Sequence, residues 1–307
     1  MIINSQPLVS VVIPSYNHAA YIEQCIESVI SQDYANMELI VIDDGSSDSS
    51  ADVIQAMVAK CQERFTRFEF RVRSNKGLPA TMNEGLWWAQ GKYYSYISSD
   101  DLMLPDKTSI MVAAIESEPS IAGVFACAEI IDENQSSISL HKLQSVTVYD
   151  FEDVLVYANW LVASSMLVDL NAMKDLGGYD ESIYFEDWYM WLKLTHAGFK
   201  LMVLPDILVK YRMHADNMSK NIVKMFEGRK QIVEMYKSHP LYSQAMSQTY
   251  AATALEYSEL SRKESFSYLV AGFRCSPKIA FTHNFMYSIV KMLVPKSILR
   301  AIKRVVG

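Results

Sequence analysis

Two pairs of adjacent carboxylates, Asp43-Asp44 and Asp100-Asp101, follow closely on apolar runs. Like charges this close resist joint ionisation unless a cation or hydrogen bonds compensate them. Mg²⁺ or Mn²⁺ bridging one or two carboxylates and a diphosphate would supply that cation. One such pair alone reads as turn chemistry, because Asp is favoured in turns and caps. Two pairs, each at the end of a strand, shift the reading toward a metal and a phosphate ester. No GxGxxG, GxxxxGKS, HExxH or GxSxG occurs, and the histidines have no ligand spacing. A dinucleotide loop, a P-loop, a zinc hydrolase and a metal-free acyl transferase are therefore disfavoured.

The elements that must position these acids alternate. Leu8–Ile13, Glu38–Ile42, Phe68–Val72 and Tyr93–Ile97 are β-branched or aromatic runs that read as buried strands. Tyr21–Ile30, Ala51–Ala59 and Thr81–Ala89 between them carry helical spacing. This order predicts βαβ units and a mostly parallel sheet flanked by helices, an α/β fold. Ligands of such sheets bind outside the carboxyl ends of the strands. Ser15-Tyr16-Asn17, Asp43-Asp44, Arg73-Ser74-Asn75 and Ser98-Ser99-Asp100-Asp101 fall there in succession. Further on, Asp106–Ile115 and Phe185–Ala197 read as helices. Ile121–Ala126, Val162–Val168, Lys200–Leu204 and Ile207–Tyr211 read as strands. Residues 127–160 are irregular, and from about Asn221 the pattern is helical.

The 307 residues are half hydrophobic and one-fifth charged, which suits a sizeable core and excludes a disordered chain. Cys25, Cys61, Cys127 and Cys275 are scattered and read as reduced core residues of a cytoplasmic protein. Neither a signal peptide nor a transmembrane helix is expected. The net charge of −7 disfavours nucleic acid as a partner.

The stretch from Val9 to Ile54, then NKGLPATMNEGLWWAQGKYYSYISSDDLMLPDK, GGYDESIYFEDWYMWLKLTHAGFK and VKYRMH, resembles the inverting, family 2 nucleotide-sugar glycosyltransferases of GT-A fold. The likeness spans roughly residues 8–220. It implies a catalytic domain over 1–220, with a nucleotide-binding half to about 104 and an acceptor half beyond. Residues 221–307 form a helical extension outside it. By the resemblance, Pro14, Tyr16 and Asn17 border the nucleobase, with the Tyr16 ring as a stacking face. Asp44 accepts from a uracil N–H, Asp43 holds its loop, and Asn75, Gly77 and Asn83 lie under the nucleotide. Asp100 bonds the ribose and Asp101 ligates Mn²⁺ or Mg²⁺ on the diphosphate.

Two departures from the family pattern matter. Ser98 replaces the first acid of a D-x-D-D version, and Met82 stands where many relatives carry Arg. Arg73 and Lys76 are then the nearest cations for the nucleotide. Within Glu186-Asp187, Asp187 matches the general base that takes the acceptor hydroxyl proton as that oxygen attacks C1 from the face opposite the diphosphate. A helix N-terminus keeps such a carboxylate ionised. Glu186 and Trp188 match the acceptor side, where Trp188 offers a ring face to a sugar. His214 is a second metal candidate, and Arg212 is placed to meet the diphosphate. Each of these also has a plain reading as a helix-capping acid, a core aromatic or a structural residue.

Charge is uneven. From Ser265 to Gly307 there is no acid and seven Lys or Arg, so the remainder carries −14. Ser297–Val306 groups Ile298, Leu299, Ile302 and Val305 apart from Arg300, Lys303 and Arg304, the pattern of a basic amphipathic helix at an anionic membrane surface. A helix docked on its own domain, or a dimer contact, fits the same pattern. The implied activity is metal-dependent transfer from a UDP-sugar to a hydroxyl of a growing, lipid-linked surface polysaccharide or O-antigen. The setting is the cytoplasm or the inner face of the plasma membrane. A dTDP- or GDP-sugar, or a catalytically silent nucleotide-sugar-binding scaffold, is the alternative. The sequence leaves the oligomeric state open.

Overall fold

The computed structural model describes residues 6–157, 161–215, 217 and 220–293. It divides into two compact units: Met1–Phe151, Asn159–Glu181 and Glu186–His214 form the first, and Glu152–Ala158, Ser182–Phe185 and Ala215–Gly307 the second.

In the first unit the order is β1 (Val9–Ser15), α1 (Ile22–Ile30), β2 (Met37–Asp43), α2 (Ser50–Arg64), β3 (Arg67–Val72), α3 (Leu78–Trp88), β4 (Tyr93–Tyr96), β5 (Leu102–Met103) and α4 (Lys107–Ser117). Then come β6 (Ile121–Ile131), β7 (Ser137–His141), β8 (Thr147–Tyr149), α5 (Phe151–Tyr157), β9 (Leu167–Asp169), α6 (Leu170–Asp175), α7 (Glu186–His196) and β10 (Lys200–Arg212). The helix α5 begins at the last residue of the first unit and continues in the second. Among the described residues the strands form one ten-stranded sheet, with β3-β2-β1-β4-β9-β6-β10-β5 as its main path. β1 pairs in parallel with β2 and β4, β2 with β3, and β6 with β10, while β9 runs antiparallel between β4 and β6. The result is an α/β fold with a mostly parallel central sheet, as expected.

Every residue of β1 and β2 is buried, the reason both read as unbroken apolar runs. Helix α1 buries Ile22, Cys25, Ile26 and Val29 against that sheet. Helix α3 lies so close to β1 that a Cβ on Gly85 would come within 2.4 Å of Val12 Cγ1. Met82 is buried in the same helix. Three expectations change. Val162–Val168 is a 3-10 turn at Ala163–Ser165 followed by a short strand. The two strands expected after Lys200 are one, with register shifts around Ile207. Cys275 is exposed, whereas the other three cysteines are buried and free.

Lys107 is fully buried at the start of α4, with Nζ donating to Ser95 Oγ at 2.9 Å and to the Met166 carbonyl at 3.4 Å. Burial pulls its ammonium down to about 7. A depressed lysine adds stability at high pH that is lost as pH falls through 7. Lys107→Met keeps the stem's bulk and is expected to raise the Tm at pH 6 by several degrees, with a smaller gain at pH 9. Equal Tm changes at the two pH values, by scanning fluorimetry, would contradict this.

The second unit holds α8 (Ile222–Met235), α9 (Tyr242–Tyr257), α10 (Arg262–Cys275) and α11 (His283–Leu293). Ala251, Ala254, Leu269, Ile279 and Phe285 form its core. No helix among the described residues is long and apolar enough to cross a membrane. The expected amphipathic helix at Ser297–Val306 lies outside the described residues.

Candidate active site

The carboxyl ends of β1, β2 and β4 are laced together. Asn17 adopts a left-handed backbone, φ 54°, which Asn tolerates better than most residues. Its Oδ1 accepts from the Ser47 amide at 2.7 Å, and its own amide donates to Ser46 Oγ at 2.8 Å. The His18 amide donates to Ser50 Oγ, and His18 Nδ1 pairs with Ser99 Oγ at 2.7 Å. Tyr16 stands at this edge half exposed. Pro14 is buried inside β1, with the strand and not the loop.

Asp43 and Asp44 both turn inward. Asp43 accepts from the Ser46 amide and hydroxyl at 2.8 and 2.6 Å. Asp44 accepts from the Lys76 and Gly77 amides at 2.7 and 2.9 Å and pairs with Arg73. The carboxylate assigned to a uracil N–H is thus already filled by the loop after β3. Gly45 (φ 75°) lets that loop in: a Cβ there would lie 2.7 Å from the Asn75 amide nitrogen. Arg73 also donates to Glu84 and to the Thr81 hydroxyl. Asn75 and Lys76 are exposed, and Gly77 (φ 90°) leads into α3. Asn83, expected under the nucleotide, instead clamps the turn after α6. It donates to the Tyr179 carbonyl at 2.9 Å and accepts from the Tyr179 amide at 2.8 Å. Gly178 is required there, because a Cβ would sit 2.6 Å from Asn83 Oδ1.

After β4 the two acids have different surroundings. Asp101 is fully buried, accepting from the Arg212 amide at 2.8 Å and from Ser164 Oγ. Burial, with Asp100 next to it, holds its carboxyl well above the ordinary range. Asp100 faces His214, with Oδ2 to Nε2 at 2.8 Å. One donor atom each from His18, Asp100 and His214 lies within 4.8 Å of the others. The 2.8 Å contact is a hydrogen bond between imidazole and carboxylate, and two imidazoles with one carboxylate are donor types that suit a divalent metal. His18 was missed in the sequence because a single histidine in a loop carries no spacing signal. Arg212 is buried, donating to the Asp100 carbonyl at 2.8 Å, the Glu133 carbonyl at 3.2 Å and Gln24 Oε1 at 3.0 Å. It fastens loops where a diphosphate contact was expected.

Glu186 and Asp187 open α7. The Trp188 amide donates to Asp187 Oδ1. Burial lifts Asp187 to about 6, and burial with the Asp187 charge lifts Glu186 to about 8. The charges of Glu186, Asp100 and Asp101 all act on the buried Tyr96 phenol, and Tyr96 Oη lies 2.7 Å from Ser98 Oγ. Of the α7 pair, Glu186 thus acts on the β4 end. Trp188 is buried and presents little ring face.

Residues 10–161 match the family described as "Glycosyl transferase family 2". An uncharacterized glycosyltransferase of Haemophilus influenzae is 29% identical over 225 residues, 69% of this chain and 68% of that protein. In another curated relative the matched part is as little as 22% of its length. The Staphylococcus aureus protein TarS (residues 1–349), solved in complex with UDP-GlcNAc, superposes with a TM-score of 0.64 at 14% identity, covering 92% of this chain and 88% of that one. The mannosyltransferase PcManGT of Pyrobaculum calidifontis, solved with GDP-Man and Mn²⁺, gives 0.60 at 16%, covering 95% and 89%. These two show the GT-A-like fold.

Proposed function

We propose that this chain, a transferase whose residues 10–161 match the glycosyl transferase family 2 model, moves a sugar, with inversion, from a UDP-sugar to a hydroxyl of a growing lipid-linked surface glycan. One observation carries this reading: the ends of three strands of one sheet bring His18, Asp100 and His214 within 4.8 Å of one another. Asp100, His214 and His18 would hold Mn²⁺ or Mg²⁺, which would supply positive charge for the departing diphosphate. Tyr16 stacks on the base, with Asn75 and Gly77 bordering it. Asp101 positions this centre through Ser164 and the Arg212 backbone. Asp187 takes the proton of the acceptor hydroxyl while that oxygen attacks C1 from the side opposite the diphosphate. Its lifted pKa matches it to this transfer near neutral pH. Glu186 shares the proton and neighbours the acceptor. Residues 1–220 form the catalytic part and 221–307 a helical extension, peripheral on the cytoplasmic face of the plasma membrane. Neighbours that bind UDP-GlcNAc and GDP-Man support a nucleotide-sugar donor.

A panel of UDP-, dTDP- and GDP-sugars with Mn²⁺ tests the donor. A ligand at about 100 times its Kd adds about 2.7 kcal/mol to stability, so UDP-sugars are expected to raise the Tm by several degrees. A rise with GDP-sugars alone reassigns the donor. A rise without turnover on any acceptor favours the scaffold reading.

A further inference from the structure

We propose that the second unit docks on an anionic bilayer through the outer faces of α10 and α11. This deepens the membrane part of the reading above and is independent of the transfer chemistry. Helix α11 is apolar on two sides. Phe285, Ser288 and Ile289 point into the unit, whereas Met286, Val290 and Leu293, spaced i, i+4 and i+7, are exposed. A surface helix with one core to serve ordinarily keeps its outer face polar. Helix α10 repeats the arrangement. Leu269 and Gly272 pack inward, and Phe266 and Phe273, one heptad apart, are exposed. Between the two helices Phe281 is 91% exposed, the most accessible large apolar side chain among the described residues.

The charge around these side chains selects the occupant. Arg262, Lys263, Arg274 and Lys278 are exposed on α10 and the turn after it, against one exposed acid there, Glu264, while Lys291 of α11 pairs with Glu259. From Ser265 onward every charged residue is basic, seven in all. A second copy would set these cations against their own kind, which opposes a symmetric dimer through this face. An anionic lipid surface supplies both complements: phosphates for the cations, and the acyl boundary for protruding Phe, Met and Leu side chains. Residues 1–264 carry −14 in all, so an anionic surface draws the basic C-terminal part of the chain in preference.

The test floats the full-length chain on vesicles of phosphatidylcholine alone or mixed with phosphatidylglycerol. Wild-type protein is expected to bind the anionic vesicles, less so at high salt, and to ignore the neutral ones. Phe281→Ser with Leu293→Ser, both at exposed positions, should weaken binding about tenfold or more. Arg274→Glu with Lys278→Glu should do the same while leaving the Tm unchanged. Unchanged binding in both variants, equal binding to neutral vesicles, or self-association abolished by the apolar variant would overturn the proposal. Donor-induced stabilisation measured on the same preparations separates a failure here from a failure of the transferase reading.

Discussion

Asp187→Asn is expected to lower the turnover number by about 10²–10⁴-fold while the donor-induced rise in Tm persists. Asparagine keeps the size and the Trp188 amide contact but cannot take a proton. The pH profile adds a second check. The Asp187 carboxyl, at about 6, is protonated at pH 5 and ionised above 7, so the wild-type rate climbs as pH rises through 6. Glu186, at about 8, keeps the shared proton through the neutral range, and the pair titrates as a unit. Glu186→Gln replaces an acid that is already neutral at pH 6, so the acid limb should stay near 6. Raised carboxyl pKa values add stability at low pH that is lost as pH rises through 6 to 8. The same variant should therefore raise the Tm at pH 9 and change it little at pH 5. An unaltered turnover number in Asp187→Asn would remove the base from this position.

Asp100→Ala should cut Mn²⁺ affinity by more than the ~10–100-fold typical of outer-shell changes. Isothermal titration with Mn²⁺ alone, and again with UDP, reads it directly. His18→Ala and His214→Ala are expected to follow. Two imidazoles and one carboxylate also favour Mn²⁺, Co²⁺ or Zn²⁺ over Mg²⁺. Asp101→Asn should behave oppositely. It disturbs the Ser164 and Arg212 contacts, lowering the Tm, while Mn²⁺ binding survives. If Asp101→Asn abolished Mn²⁺ binding and Asp100→Ala spared it, the ligand would be Asp101, as the family resemblance implies.

The first four strands were legible because both faces of β1 and β2 are buried, which leaves uninterrupted apolar runs. The irregular stretch after Cys127 was not, since β7 is exposed along most of its length and no core face imposes alternation on it. Ala163-Ser164-Ser165 sat within an apolar run yet forms a turn, and that turn supplies the Ser164 hydroxyl to Asp101. In the site, the strand ends placed Tyr16, Asp44 and Asp100 correctly along one edge. Which acid faces inward depends on residues 63 and 111 positions away in sequence, beyond the reach of local pattern. The same holds for Arg73, Asn83 and Arg212. Ligand contacts were expected of them, and in the structure each also fastens a loop.

Strand β10 runs thirteen residues, pairing with β6 and β5, and ends at Arg212 two positions before His214. Its register against β6 shifts at Lys200/Leu201 and again on both sides of Ile207. An insertion or deletion between residues 204 and 207 can be absorbed there as a different bulge. The same change between Val209 and His214 would rotate the anchor Arg212 and the imidazole of His214 to the wrong side together. Length variation in this strand should therefore be tolerated on one side of Ile207 and ruinous on the other, which gives protein engineers a safe point for splicing.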